Sequence, residues 1–162
     1  MKHYVYTKSH YMIQMTLPGI FTLLIGTYGI YELLRNQNIF FGFILIICIY
    51  NVWNVFVSVS NPSEIIIDED NITFCAFSKK HTYQLNDIKE FSMRALAGNN
   101  KIYMTIDKGG ILKGRYWVRT SEFNDGKELT DFFYDLDAKV NPDSVFTTAR
   151  RQGRERLKKS EK

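Results

Sequence analysis

Charge is almost missing from Tyr11 to Ser60, where Glu32 and Arg35 are the only ionisable residues of either sign apart from tyrosine and cysteine. The chain-wide values of 45% hydrophobic and 23% charged residues therefore average two unlike halves. Cysteine is scarce as well. Cys48 sits in an apolar run and Cys75 far downstream, which excludes a disulfide framework, a C-x-x-C redox pair and a cysteine metal cluster. Both read as reduced core residues. Histidine is limited to His3, His10 and His81. The motifs G-x-S-x-G, H-E-x-x-H and the phosphate-binding glycine loop do not occur. Asp68, Glu69 and Asp70 cluster as calcium ligands do, but they lack the EF-hand spacing and its downstream glutamate. The reading expects no catalytic residue, no metal site and no cofactor.

The uncharged stretch divides into two runs. Leu17–Leu34 holds 18 residues with Glu32 as its sole charge, and Ile39–Val59 holds 21 with none. At 1.5 Å rise per residue, each reaches across a hydrocarbon layer about 30 Å thick. Two runs in series, without a small-residue cleavage site, predict retained helices rather than a signal peptide. The competing reading is a buried hairpin in a soluble protein. Arg35-Asn-Gln-Asn38 is a short link, so the helices are expected to be antiparallel neighbours. Lys2 and Lys8 precede the first run and most other cations follow the second, which predicts both termini on the cytoplasmic face. Asn51, Asn54 and Ser58 follow i, i+3, i+7 spacing, and Thr22, Gly26 and Gly29 form a strip of small residues. Both patterns suit helix packing within the hairpin or with a membrane partner or second copy.

Beyond Ser60 the periodicity shortens. Glu64–Asp68 and Ile72–Phe77 flank an acidic turn and predict a hairpin. Further strands are expected at His81–Leu85, Ile88–Met93, Ile102–Ile106 and Ile111–Arg119, with Gly114 marking a bulge or kink. Leu129, Phe132, Phe133, Leu136 and Val140 then recur at helical spacing, with Asn124 or Asp125 as N-cap and Asn141-Pro142 as the stop. The predicted plan has residues 1–16 as a cytoplasmic N-terminus, 17–59 as a transmembrane hairpin and 60–141 as an α+β domain, a small antiparallel barrel or curved sheet capped by a helix, with an α+β sandwich of different strand order fitting nearly as well. Residues 142–162 form a basic tail, in which Thr148–Lys162 carries seven Lys/Arg against two Glu. Arg150, Arg151, Arg154, Arg156, Lys158 and Lys159 lie in it, and Lys79, Lys80, Arg115 and Arg119 add basic positions in the domain. These are candidates for contact with anionic lipid or an acidic partner, and membrane tethering favours the leaflet over nucleic acid.

The order of hairpin, Asn61-Pro-Ser-Glu64 exit, strand pairs, Tyr116-Trp117-Val118 strand and terminal helix resembles small bacterial membrane proteins that carry a pleckstrin-homology-like domain behind a two-helix hairpin. The resemblance covers roughly residues 11 to 140 and is architectural. It implies binding, scaffolding or accessory roles in membrane complexes and no catalytic residues. The expected function is a non-enzymatic membrane-anchored scaffold. An accessory subunit of an exporter or permease, including bacteriocin self-protection, is the alternative, followed by an anionic-lipid sensor.

Overall fold

A computed structural model describes residues 1–96, 101–110 and 113–144. Ten elements follow in order: β1 (Lys2–Val5), α1 (Lys8–Asn36), α2 (Ile39–Val57), β2 (Glu64–Ile67), β3 (Asn71–Ala76), β4 (Lys79–Gln84), β5 (Phe91–Leu96), β6 (Lys101–Ile106), β7 (Arg115–Arg119) and α3 (Gly126–Val140). They form two long apolar helices, two antiparallel sheets and a C-terminal helix.

The helices turn back on each other within two residues. Gln37 takes the left-handed conformation that closes α1, donating its N–H to the Leu33 carbonyl, and the Asn38 side chain accepts from Phe40 N to cap α2. Their apolar side chains face outward. Of the most apolar window of each helix, 17% of α1 and 6% of α2 is buried. A hairpin serving as the core of a soluble protein would show the opposite. Both helices are long and apolar enough to cross a membrane.

α1 begins well before Leu17, the start expected from hydropathy. Its first turns belong to the domain: the buried Tyr11 ring packs edge-on against Tyr6 and Phe77, and its hydroxyl donates to the Asn61 carbonyl at 2.9 Å. Residues Met12–Thr16 of α1 and Trp53–Val57 of α2 are wound as wider π-turns, both at the domain end of the hairpin.

β1 is an element that hydropathy gave no sign of. It pairs antiparallel with β2, Lys2 opposite Ile67 and Val5 opposite Glu64. Asn124 secures it from the other side, its Oδ1 accepting from Val5 N and its Nδ2 donating to the His3 carbonyl at 3.2 Å. Lys2 and Glu128 of α3 form an exposed ion pair, which lifts the lysine above and holds the carboxyl below its ordinary value. Because β1 and β2 flank the hairpin, the N-terminus and the domain lie on the same side of any membrane it crosses.

The sheets have orders β1-β2-β3-β4 and β5-β6-β7 and do not close into a barrel, which corrects the expectation of one. No ladder joins β4 to β5: a turn at residues 85–87 and residues 88–90, which belong to no strand, lie between them, so β5 starts at Phe91 rather than Ile88. Of the expected bulge or kink, Gly114 is the kink. It takes φ +91° in the turn before β7, and an added Cβ would lie 2.7 Å from the Ile106 carbonyl oxygen, so only glycine fits.

The inner faces of both sheets form one core. Phe74 of β3 stacks on Tyr116 of β7 at 4.0 Å, both fully buried. Leu129, Phe133 and Leu136 of α3 join them, with Phe132 and Val140 at the margin, as the helical spacing predicts. Asn141 ends α3 by donating to Asp137 Oδ1 and to the Phe91 carbonyl.

Candidate functional site

Three places hold the polar and small residues that the sequence singles out. The first is the hairpin seam. Gly26 and Gly29 are buried there, and a Cβ on Gly26 would sit 3.2 Å from Cys48 Cβ, so the missing side chain sets the helix spacing. Asn51, Asn54 and Ser58 differ in their surroundings. Asn51 is exposed on the outside of α2 and Asn54 is half-buried in the π-turn. Ser58 has left the helix for extended backbone and is buried, its hydroxyl bonded to that of Ser60 and accepting from Ser60 N at 3.0 Å. α2 ends at Val57, so Ser58 cannot extend a helical face with the two asparagines. Beside the seam lies an apolar groove of about 260 Å³, lined by Thr22, Gly26, Cys48 and Trp53 among others.

The second place is the junction of hairpin and domain. Lys79 Nζ donates to the Val57 carbonyl at 2.8 Å, putting a cation at the carbonyl end of α2, where the helix dipole is negative. Phe77, in the turn before β4, lays its ring 5.7 Å from Phe56. Across the junction, Gln14 Oε1 of α1 accepts from Arg119 of β7 and from the Tyr6 hydroxyl. Trp117 N donates to the Ser60 carbonyl at 2.7 Å, so β7 borders the chain as it leaves α2. Lys80 is exposed on β4 opposite Cys75.

The third place is the outer face of β5-β6-β7. The register puts Arg94 opposite Tyr103, Tyr103 opposite Trp117, Lys101 opposite Arg119 and Thr105 opposite Arg115. Tyr103 and Trp117 rings lie 4.4 Å apart, and the Lys101 ammonium sits 4.6 Å from the Trp117 ring centroid. The sequence reading named Arg115 and Arg119 but missed Arg94, Lys101, Tyr103 and Trp117. The alternation along β6 shows which residues face outward, but only the strand register joins them.

On the inner side, His81 Nδ1 and the Tyr116 hydroxyl share a 3.0 Å hydrogen bond, and Tyr116 bonds the Tyr83 hydroxyl at 2.7 Å. Burial first, then Lys113 and Lys79, hold the His81 pKa below its usual value, so the ring is kept neutral. Burial also raises both phenols, which leaves the trio a set of neutral hydrogen bonds. Among the described residues, no three His, Cys, Asp or Glu side chains gather as a metal site would require. Asp68, Glu69 and Asp70 form the β2–β3 turn. Arg150, Arg151, Arg154, Arg156, Lys158 and Lys159 lie outside the described residues.

Fold and junction define a class, an apolar helical hairpin carrying a two-sheet α+β domain. Comparison with models of known protein families, with curated proteins and with solved structures gives no match.

Proposed function

We propose that this protein is a non-enzymatic, membrane-anchored binding or scaffolding protein. Its hairpin spans the bilayer, and its domain, pleckstrin-homology-like in the order of its elements, stands on the cytoplasmic face. The observation that carries the reading is the outward-facing apolar surface of α1 and α2, joined to a domain whose own apolar residues are internal. Lysines near the first helix and the basic excess after the second support the cytoplasmic orientation.

The partner is another membrane protein or a second copy of this chain. Support comes from Asn51, whose amide is exposed on the otherwise apolar outside of α2. In hydrocarbon an amide facing lipid is costly, and a neighbouring helix offering a hydrogen bond removes that cost. Purification of the full chain in nanodiscs, followed by identification of what accompanies it, tests the proposal. A double variant Asn51→Leu/Asn54→Leu should stay in the membrane and lose its companions. Recovery of the same companions with that variant would remove the amides from the interface.

A further inference from the structure

We infer that the outer face of β5-β6-β7 is a docking surface for the anionic headgroups of the leaflet from which the hairpin emerges. The inference deepens the membrane-anchored reading and rests on it.

Six residues make the surface: Arg94, Lys101, Tyr103, Arg115, Trp117 and Arg119. Register places them side by side on one sheet face, with Ser92 and Thr105 between. Arg94, Arg115 and Trp117 are exposed, while Lys101, Tyr103 and Arg119 are half-buried, with Arg119 bonded to Gln14 of α1. Trp117, 36% exposed, is one of the few large apolar residues outside the hairpin that stay open to solvent. A tryptophan and tyrosine flanked by Lys and Arg are the side chains that settle at a membrane–water interface, where the rings are half-dry and the charges meet phosphate.

The charges are uncompensated. Among the described residues none of the four cations has a carboxylate within ion-pair distance. Glu90 and Asp107 sit at the turn end of the sheet, where Asp107 Oδ1 accepts from the backbone N–H groups of Lys89 and Glu90, and Glu122, three residues past Arg119, is bonded to His10. The Arg119 Nε is buried and finds no acceptor among the described residues. Lys101 loses basicity, through burial first and Arg119 second, as expected of cations crowded together without a counter-ion. Fixed anions would relieve that crowding.

Position selects the lipid as the source of those anions. Arg119 is bonded to Gln14, three residues before Leu17. At helical rise that is about 5 Å from the start of the apolar run. Trp117 N is bonded to Ser60, three residues past the end of α2. The edge of the face is thus held at headgroup depth by the protein's own anchor, and lipid phosphate is always present there at high local concentration.

The full chain carries two tryptophans, Trp53 and Trp117. A Trp53→Phe variant in nanodiscs therefore reports on Trp117 alone. Adding phosphatidylglycerol to phosphatidylcholine discs should shield Trp117 from acrylamide, and raised salt should reverse the shielding. Each cation removed, as in Arg94→Gln or Lys101→Gln, should lower the docked-to-undocked ratio about fivefold at low salt, while Arg94→Lys keeps it. Equal quenching of Trp117 in both disc types overturns the inference, and this comparison needs no charge variant to fold. Shielding in phosphatidylcholine discs by a single-stranded oligonucleotide or inorganic phosphate, without a response to phosphatidylglycerol, also overturns it. Alkaline extraction separates the two levels. A chain that resists extraction but whose Trp117 ignores phosphatidylglycerol loses only this surface, whereas a chain released by alkali loses the anchor as well.

Discussion

The hairpin and the domain use apolar side chains in opposite ways. In α1 and α2 residues such as Phe21, Leu24, Phe43, Ile46 and Ile47 stand exposed, while glycines and Cys48 are turned inward. In the domain Ile65, Phe74, Met104 and Phe133 are fully buried, and Phe77 and Trp117 join Met1 as the large apolar residues left open among those described. Hydrophobic burial can hold the domain together in water. It cannot hold the helices together in lipid, where an exposed leucine loses nothing, so close backbone approach and polar contacts must do so. Composition alone hides the distinction, and the direction of the side chains reveals it.

That contrast can be broken from either side. The largest effect is expected in the domain core: Phe133→Ala should destabilise it by about 3–5 kcal/mol, read from denaturant unfolding in detergent, with the hairpin's helical signal retained. Global loss of both signals together would mean that the two regions are one cooperative unit. Next comes Ile47→Arg, which places a charge near the middle of α2. In a membrane it should cost about 2.5–3.5 kcal/mol of insertion and move protein into the alkali-soluble fraction. On a water-facing surface the same change would be close to neutral, and unchanged fractionation would end the transmembrane reading.

Smaller effects sharpen the boundary between the regions. Asn124→Ala removes two side-chain bonds to β1 and should cost about 1–2 kcal/mol. Hydrogen exchange should quicken at β1 ahead of the other strands. The least effect concerns pH. Since His81 has a depressed pKa in the fold, the unfolded chain binds its proton first on acidification. The stability that the neutral ring contributes is complete above the ordinary histidine value of about 6.5 and falls as pH drops below it. His81→Gln should flatten that part of the melting curve against pH, and an identical profile in the variant would assign the trend to other groups.

The two regions also differed in how much could be read from residues alone. α3 was legible because Leu129, Phe133 and Leu136 repeat at helical spacing and carry the core contact themselves. The β2–β3 turn was legible because Glu69, Asp70 and Asn71 suit a reversal. β1 was not, since Tyr4 and Tyr6 give one alternation only, and their burial comes from partners in β2 and from Phe123. The early start of α1 was hidden for the same reason, because Tyr11 is buried by Tyr6 and Phe77 rather than by its own helix. The basic-aromatic face escaped because its members come from three strands whose register no single segment encodes. Asn51, Asn54 and Ser58 were grouped by spacing, but α2 ends at Val57 and leaves Ser58 outside it.

Pairing of Lys2–Val5 with Glu64–Ile67 also imposes an order of events on synthesis. β1 has no partner until both helices and their exit have been made, so if the hairpin enters a membrane as proposed, the strand stays unpaired meanwhile. A chain with a single helix across would hold β1 and β2 on opposite sides, so the strands meet only when the helices cross as a pair or not at all. Closure of that edge would then mark a chain whose hairpin was not left half-threaded. A chain with one helix left uninserted would display β2 with an open edge, the kind of surface that quality-control proteases and chaperones recognise.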